Sequence, residues 1–524
     1  MSGSKPISAP DAPAWLVPAA IVAVLVSAWI QYQCWPFVTD DAYITLRYAA
    51  RLAAGQGLTF NTGEWVEGYS NPLWTIWLAL SARMLPFDLV DLARGWGLLF
   101  CCATVALVPA LLRQLTSASR AMAAGALLLI LAQPGVQVYA SLGMEVPQLA
   151  FLLSLGVYSS LRGSTDSLAW YLLAAFCFSL VGISRPEGPL YALLWGVTLA
   201  VILLRQRGWS ALLPLSALGL VTVLPALLWQ YYRLQVYGAW VPNTAIVKAS
   251  GSGIAAHSEL LGVIWLPLLA VLALALLYWV KPAVLSVVRP LWRRSLLLLA
   301  PVLAGLIFVL FAGPDWMAFM RFLQPVLPLM ITLSVAILFE LARQAPDRLR
   351  ARLFSLIVTT SIIIPALTAI PFGTGRSFAS MLMRNEAPTY VAQWLQQNYP
   401  GPHTLAAARI GAVSYFNPQY VVWDFFGLTD RAQAQAVLAS GMPAAIFANQ
   451  IAGNPILARQ PELVLIIRPP WKVPPAVYAP EELQTLTQHW RCVRQFKQER
   501  WGTYDLWVRR DLPVGAVACD GIGQ

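Results

Sequence analysis

Residues 40–74 read DDAYITLRYAARLAAGQGLTFNTGEWVEGYSNPLW. Asp40, Asp41, Glu64 and Glu67 make this stretch polar, yet apolar sequence dominates on both sides of it, beginning with Trp15 to Ile30 and recurring as far as Ile370. Runs of that length are those that cross a hydrocarbon core. The quoted stretch is therefore a loop of a chain threaded through lipid. Composition agrees: 58% of the 524 residues are hydrophobic and only 11% charged, where a soluble chain carries about a quarter. After Pro371 the apolar runs stop and polar residues return at the density of a soluble domain, which sets a boundary near Phe372.

Arg and Lys set the orientation, because they collect in cytoplasmic loops. Arg113 and Arg120, Arg162, Arg205 and Arg207, Lys281 to Arg294, and Arg343 to Arg352 mark one set of loops; the alternate loops are poorer in cations. The N terminus is then cytoplasmic and the tail extracytoplasmic. The segment Trp15 to Ile30 has no small-residue cleavage site after it and reads as a retained span. Pro72 to Leu85 covers only roughly 21 Å as a helix and, if it crossed, would put Arg113 and Arg120 on the wrong side. It is expected to lie at the outer interface with Trp74 and Trp77 as anchors. This threading gives about eleven spans, at 13–31, 94–113, 120–134, 147–162, 168–183, 188–205, 211–232, 260–280, 295–312, 321–341 and 353–371. The expected fold is a polytopic α-helical membrane protein over 1–371, with a first external loop at 32–93 and an extracytoplasmic α/β domain over 372–524.

The net charge of +11 is spread over short loops and forms no basic patch, so nucleic acid is not an expected partner. The three histidines are scattered and the six cysteines lack metal-type spacing, so no metal site is expected. Cys492 and Cys519 share the tail, and their pairing is left open. No Gly-rich phosphate loop or dinucleotide fingerprint is present.

Under this threading the unusual polar residues converge on the outer face. The first loop carries Asp40, Asp41, Glu67 and Asn71; later loops bring Glu145, Arg185 and Glu187, then Arg233, Asn243 and Lys248, then Asp315 and Arg321. Taken singly, an acid at a helix start is as well explained as a cap, and an Arg at a span end as snorkelling to the interface. Together they fit group transfer. Arg and Lys hold a leaving phosphate as charge grows on it, while an Asp in a desolvated cleft takes the proton of an acceptor hydroxyl.

These residues lie in motifs that resemble those of bacterial GT-C glycosyltransferases related to the actinobacterial cell-wall arabinofuranosyltransferases and the pilin arabinosyltransferases. The first-loop stretch carries the most specific match. MEVP at 144–147 resembles the family's METP, SRPEG at 184–188 its TRPEG, YGAWVPNTAIVK at 237–248 its YGxxxPNTxxxK, GPDWMAFMRFLQPVLP at 313–328 its GGDWM…RFLLP, and DFFGLTD at 424–430 its DLxGLTD. Val146 replaces the family's Thr, and Gly-Pro replaces Gly-Gly before Asp315; neither change removes a charge.

The resemblance implies a GT-C fold in a bacterial cytoplasmic membrane, a periplasmic α/β tail that grips the acceptor, and a first-loop helix at the interface. It also implies inverting transfer of a sugar, D-arabinofuranose for these relatives, from a polyprenyl-phosphate donor to a cell-envelope glycan or pilin. The base maps to Asp40 or Asp41, and the sequence does not choose. Arg185, Arg233, Lys248 and Arg321 are the candidates for the phosphate; Glu67, Asn71, Glu145, Glu187, Asn243 and Asp315 are those for orienting the substrate. No obligatory cofactor is expected, with assistance by a divalent cation left open. The competing reading, a lipid-linked sugar flippase or transporter, calls for ionisable residues along the span interiors, and these are almost purely apolar. A membrane-anchored binding protein would not call for paired acids.

Overall fold

A computed structural model describes residues 16–116, 120–163, 168–249, 284–312, 317, 319–342, 378–468, 478–498, 502–513 and 519. Its helices are α1 (Leu16–Cys34), α2 (Asp40–Ala53), α3 (Pro72–Met84), α4 (Leu89–Leu115), α5 (Arg120–Leu131), α6 (Pro134–Ser141) and α7 (Val146–Gly163). They continue with α8 (Leu168–Gly182), α9 (Gly188–Arg207), α10 (Leu212–Tyr237), α11 (Asn243–Ala249), α12 (Val284–Ala312) and α13 (Leu327–Ala342). The chain divides into two compact units. One holds 1–36, 93–227 and 254–380; the other gathers 37–92, 228–253 and 381–524. The first loop, expected to belong with the spans, thus forms one compact unit with the tail. The boundary expected at Phe372 lies outside the described residues.

In the first unit, α7 packs on α8, and α12 on α9 and α13. Small residues allow the approach: a Cβ on Gly156 would meet the Phe178 ring at 2.9 Å. Phe178 stacks on Trp195 with ring centroids 4.3 Å apart, and the Trp195 indole donates to the Ser160 hydroxyl at 2.8 Å. Outward positions such as Leu193, Val197, Leu220, Leu227 and Phe311 are apolar and exposed, as lipid-facing residues are.

Among the described residues, Leu89–Leu115, Gly188–Tyr237, Arg294–Ala312 and Arg321–Glu340 are long and apolar enough to cross a membrane. The span expected at 120–134 breaks: α5 and α6 meet at a 64° bend at Gln133–Pro134. Proline lacks the N–H that would continue the helix, and its ring disfavours helical geometry at the residue before it. Arg321–Val326 is a 3-10 helix with Pro325 inside it, so the regular helix of that span starts only at Leu327. The spans expected at 260–280 and 353–371 lie outside the described residues.

The second unit is built on a five-stranded sheet. Helix α14 (Phe378–Asn398) leads to β1 (Thr404–Ala407), α15 (Gly411–Phe416), β2 (Val421–Asp424) and α16 (Arg431–Ser440). Short helices α17 (Ala444–Phe447) and α18 (Pro455–Ala458) precede β3 (Leu463–Arg468), α19 (Pro480–His489), β4 (Trp490–Gln498) and β5 (Gly502–Arg509). The order is β2-β1-β3-β5-β4; β1 is parallel to β2 and β3, and the pairs β3–β5 and β5–β4 are antiparallel. The central position of β1 explains why Leu405, Ala406 and Ala407 are fully buried.

Because successive crossovers leave β1 in opposite directions, the β1–β3 junction is a topological switch point, where such sheets open a crevice beyond the strand ends. Trp490 belongs to the core of this unit: it is 1% exposed and its indole donates to the Pro461 carbonyl at 2.7 Å. Cys492 and Cys519 form a disulfide.

Candidate active site

The acidic pair opens α2, yet neither acid caps its own helix, because the N-cap position is Thr39. Asp40 is 6% exposed, and its carboxylate reaches the first residues of α15, where Oδ2 accepts from Gly411 N at 3.2 Å and Oδ1 from Ala412 N at 2.9 Å. Burial pushes its pKa up, against those two amides and the nearby Arg409. Asp41, one residue on, is half-buried. Both oxygens of Asp40 are engaged by backbone amides. Gly411 fits there because it has no side chain; a Cβ would lie 1.8 Å from the Asp40 carbonyl oxygen.

The rest of α2 is fastened to the same region. Arg47 is 3% exposed and donates to the carbonyls of Phe60 (2.8 Å), Ser414 and Tyr420 (2.9 Å), with its guanidinium 5.0 Å above the Phe60 ring. Asn61 pairs with the edge strand β2, donating to Val422 O at 2.9 Å and accepting from Val422 N at 3.0 Å. It completes a sheet edge that would otherwise expose bare backbone groups. Tyr43 packs on Tyr415 and Phe416, at 5.3 and 5.4 Å between ring centroids. Helix α3 exists as expected, but Trp74 is fully buried, so it is no interfacial anchor; Trp77 is half-buried.

A second group joins the remaining expected residues of this unit. Glu67, 3% exposed, pairs with Arg233, whose Nη2 lies 3.1 Å from Oε1; Arg233 also donates to Gln230 at 2.6 Å. Burial raises the Glu67 pKa, and Arg233 opposes the rise. Asn71 accepts from the hydroxyls of Thr45 (3.1 Å) and Thr75 (3.3 Å).

Asn243, expected to meet substrate, takes part instead in a clasp on the tail. Its amide donates to the carbonyls of Gly427, Leu428 (3.2 Å) and Asp430 (3.3 Å), and its N–H donates to Glu67 O at 3.0 Å. Lys248 stands on α11, and its side chain lies outside the described set.

The motif DFFGLTD is the turn that Asn243 holds. Asp424 is fully buried at the end of β2 and accepts from Phe426 N at 2.9 Å and Thr429 N at 3.2 Å. Gly427 has φ +79°, and a Cβ there would meet Ala434 N at 2.6 Å. Asp430 caps α16 by accepting from Gln433 N at 2.9 Å.

Burial pushes Asp424 from 3.8 up to about 7. A carboxyl raised by folding adds stability that is complete below its unfolded value and is lost as pH rises through its folded one. The thermal midpoint is therefore expected to fall as pH rises from about 4 to about 7 and to level off above that, and Asp424→Asn to flatten that slope. An unchanged slope in the variant would assign it to another group.

In the helical unit, Arg185 pairs with both Glu145 and Glu187, and the three are 7%, 2% and 3% exposed. Arg185 is thus engaged by two buried acids and acts as a counter-charge for them. Its guanidinium lies 5.3 Å from the Phe322 ring, and that of Arg321 lies 5.0 Å from the same ring. Arg321, 4% exposed, also meets Met317 Sδ at 2.9 Å. Glu187 Oε2 and the Tyr191 hydroxyl are buried with no hydrogen bond among the described residues. The backbone just before Arg321 is strained: Phe319 and Met320 have φ of 63° and 50°, a conformation that costs about 1–3 kcal/mol per residue and gathers at functional sites. An apolar cavity in the same unit is lined by Cys101, Ile130, Val136, Tyr139, Val146 and Pro328. Asp315 lies outside the described residues.

Sequence reasoning missed Arg409, Gly411, Arg47 and Asn61. The first two carried a faint signal, an Arg and a Gly directly after a short apolar strand. Arg47 and Asn61 are defined by partners more than 350 positions away and had none.

The fold matches that of solved GT-C enzymes. The fold is similar to ArnT from Cupriavidus metallidurans, apo and bound to undecaprenyl phosphate, with a TM-score of 0.55 for each at 14% and 15% identity, covering 93% of this chain and 98% of that one. It is also similar to the oligosaccharyltransferase AglB from Archaeoglobus fulgidus, solved with an inhibitory peptide and a dolichol-phosphate (TM-score 0.54, 11% identity, 92% and 79% covered). In sequence, the chain is homologous to the terminal β-(1→2)-arabinofuranosyltransferases. It is 28% identical to that of Corynebacterium glutamicum over 365 residues, 60% of this chain and 50% of the relative. To that of Mycobacterium tuberculosis it is 30% identical over 260 residues, 45% and 38%. The chain thus spans half the length of the first relative and less of the second. Residues 380–511 match a domain of unknown function, DUF8728.

Proposed function

We propose that this protein is an inverting GT-C glycosyltransferase that moves D-arabinofuranose from a polyprenyl-phosphate donor to a hydroxyl of a cell-envelope glycan or pilin. The reaction takes place on the extracytoplasmic face of a bacterial cytoplasmic membrane. The sugar is suggested by the names of the two arabinofuranosyltransferase relatives, and the lipid phosphate by ArnT with undecaprenyl phosphate and AglB with dolichol-phosphate. The disulfide in the tail favours an oxidising compartment.

The observation that carries the reading is the acidic pair, with Asp40 buried and anchored and Asp41 half-buried beside it. Asp41 is the base. It takes the acceptor proton as the acceptor oxygen attacks the anomeric carbon; the bond to the phosphate oxygen breaks, and its electron pair leaves on polyprenyl phosphate. Lys248, carried on α11, is the cation of this unit proposed for that phosphate. Arg185 and Arg233 instead hold Glu145, Glu187 and Glu67 in place, and Glu187 Oε2 accepts from a sugar hydroxyl. The apolar cavity suits isoprenoid carbon. No metal takes part in this reading.

The test is incubation of purified protein with synthetic polyprenyl-phosphoryl arabinofuranose and scoring of released polyprenyl phosphate, with and without EDTA. Release that survives EDTA is expected. Release from another polyprenyl-phosphate sugar alone would discard arabinose, and silence with every such donor would discard the reaction class.

A further inference from the structure

Strand β4 runs along one edge of the tail sheet and carries a bulge. Cys492 pairs with Trp507 of β5, whereas Arg494 pairs with the adjacent Leu506, so two steps on β4 match one on β5. The bulge turns Arg494 off the face that holds Cys492 and onto the face of Phe496, against which α14 packs. Bulges elsewhere re-aim side chains at functional sites in the same way. There the Arg494 guanidinium lies 4.8 Å from the centroid of the Trp394 ring and 5.3 Å from that of Phe496. Trp394 meets Phe496 edge to face at 5.3 Å, and Tyr390, one turn earlier on α14, meets it at 6.0 Å. Phe496 is buried, Trp394 and Arg494 are half-buried, and Tyr390 is 54% exposed. The rings hold the guanidinium without using its N–H groups, and Arg494 has no hydrogen bond or ion pair among the described residues. We propose that Arg494, Trp394 and Tyr390 form a binding site on the tail for a carboxylate-bearing sugar of a cell-envelope glycan, its carboxylate on Arg494 and its ring against Tyr390.

A cation on an edge strand often serves only to block edge-to-edge pairing, and a fully solvated Lys is enough for that. Arg494 is instead partly desolvated by two rings and lacks a counter-ion, so it gains from a ligand that supplies one. A single planar guanidinium matches one carboxylate in both charge and shape, whereas a phosphomonoester brings nearly twice the charge. The surface around the cluster selects the kind of partner. Gln393 and Gln397 follow Tyr390 at helical spacing and are exposed, as are Gln396 and Asn398. Amides beside an aromatic ring supply the hydrogen bonds that sugar hydroxyls need. A face built to enter a lipid surface would carry apolar side chains at those positions. The site goes beyond the transferase reading and does not rest on it.

The test is calorimetric titration of the full-length protein in detergent with an oligogalacturonate, and with its methyl ester as the same chain without charge. The acid is expected to bind about tenfold or more tightly than the ester. Arg494→Gln should weaken binding of the acid by a similar factor and leave the ester unchanged. Arg494→Lys keeps the charge but not the fork, and should recover only part of the loss. Tyr390→Ala, at an exposed position, should weaken both oligomers about threefold, and it serves if Gln at 494 prevents folding. Equal affinity for acid and ester would overturn the inference, as would unchanged affinity in folded Arg494→Gln, or in Tyr390→Ala in its place. Displacement of the acid by inorganic phosphate or by phosphatidylglycerol vesicles at equal anion concentration would overturn it too, in favour of a phosphate site or a membrane contact. None of these readouts uses turnover: protein that binds the acid but releases no polyprenyl phosphate would overturn the transferase reading and leave this one standing.

Discussion

Asp41→Asn is expected to lower release of polyprenyl phosphate by about 10²–10⁴-fold while leaving the thermal midpoint and the donor KM near wild type. The amide keeps the shape of the side chain and loses the ability to take a proton, and the half-buried position tolerates it. Asp40→Asn is expected to behave in the opposite way. Its oxygens accept from two backbone amides at 3.2 and 2.9 Å, and an amide side chain offers one acceptor and turns an NH2 toward the second donor. The cost is about 1–3 kcal/mol of stability, with turnover falling as α2 loosens. Comparing kcat with the melting midpoint separates the two roles. A folded Asp40→Asn protein without turnover, beside an active Asp41→Asn protein, would make Asp40 the base.

The acids were legible as a group because they open an amphipathic helix between apolar runs, and that helix is present as α2. What each acid does depends on chain 371 positions away, for the partner amides of Asp40 belong to Gly411 and Ala412. The same distance hid Arg409, which sits in a loop where nothing local signals a carboxylate partner. Arg185 and Arg233 were read as phosphate ligands from their place near span ends. Each proves to be paired with buried glutamates, because a cation taken out of water is held by the acids nearest to it. Asn243 carries a motif that resembles one of a known family, and its amide is spent on the carbonyls of the DFFGLTD turn.

Local pattern served better for elements than for partners. The short apolar runs Leu463 to Ile467 and Tyr504 to Val508 fall within β3 and β5, while Ala387 to Asn398 lies within the longer α14 and Glu481 to His489 within α19. Strands β1 and β2 have only four residues each, TLAA and VVWD, too few for alternation to register. Hydropathy found the apolar run at 120–134 but not its 64° break, because proline changes backbone geometry without changing hydropathy. Trp74 suited an interface by its chemistry; only three-dimensional packing decides that it is buried.

The largest loss of stability is expected at Arg47, a residue with no part in the chemistry. Its guanidinium is 3% exposed and satisfies the carbonyls of Phe60, Ser414 and Tyr420, so it ties the helix bearing the acidic pair to α15, which anchors Asp40. Arg47→Ala removes every donor at once and opens a cavity. With each buried carbonyl left unpaired costing about 1–3 kcal/mol, the total is on the order of 4 kcal/mol or more. Lysine should not rescue it, since one ammonium cannot meet three divergent acceptors. Limited proteolysis is expected to cut the first loop rapidly in Arg47→Ala and Arg47→Met alike, with turnover lost in proportion to the unfolded fraction at every pH. That uniform loss marks a structural role, since loss of a group that takes part in proton transfer would instead change the pH profile of a folded protein. If Arg47→Met melts like wild type, packing alone secures α2, and the carbonyls it leaves behind must find other donors.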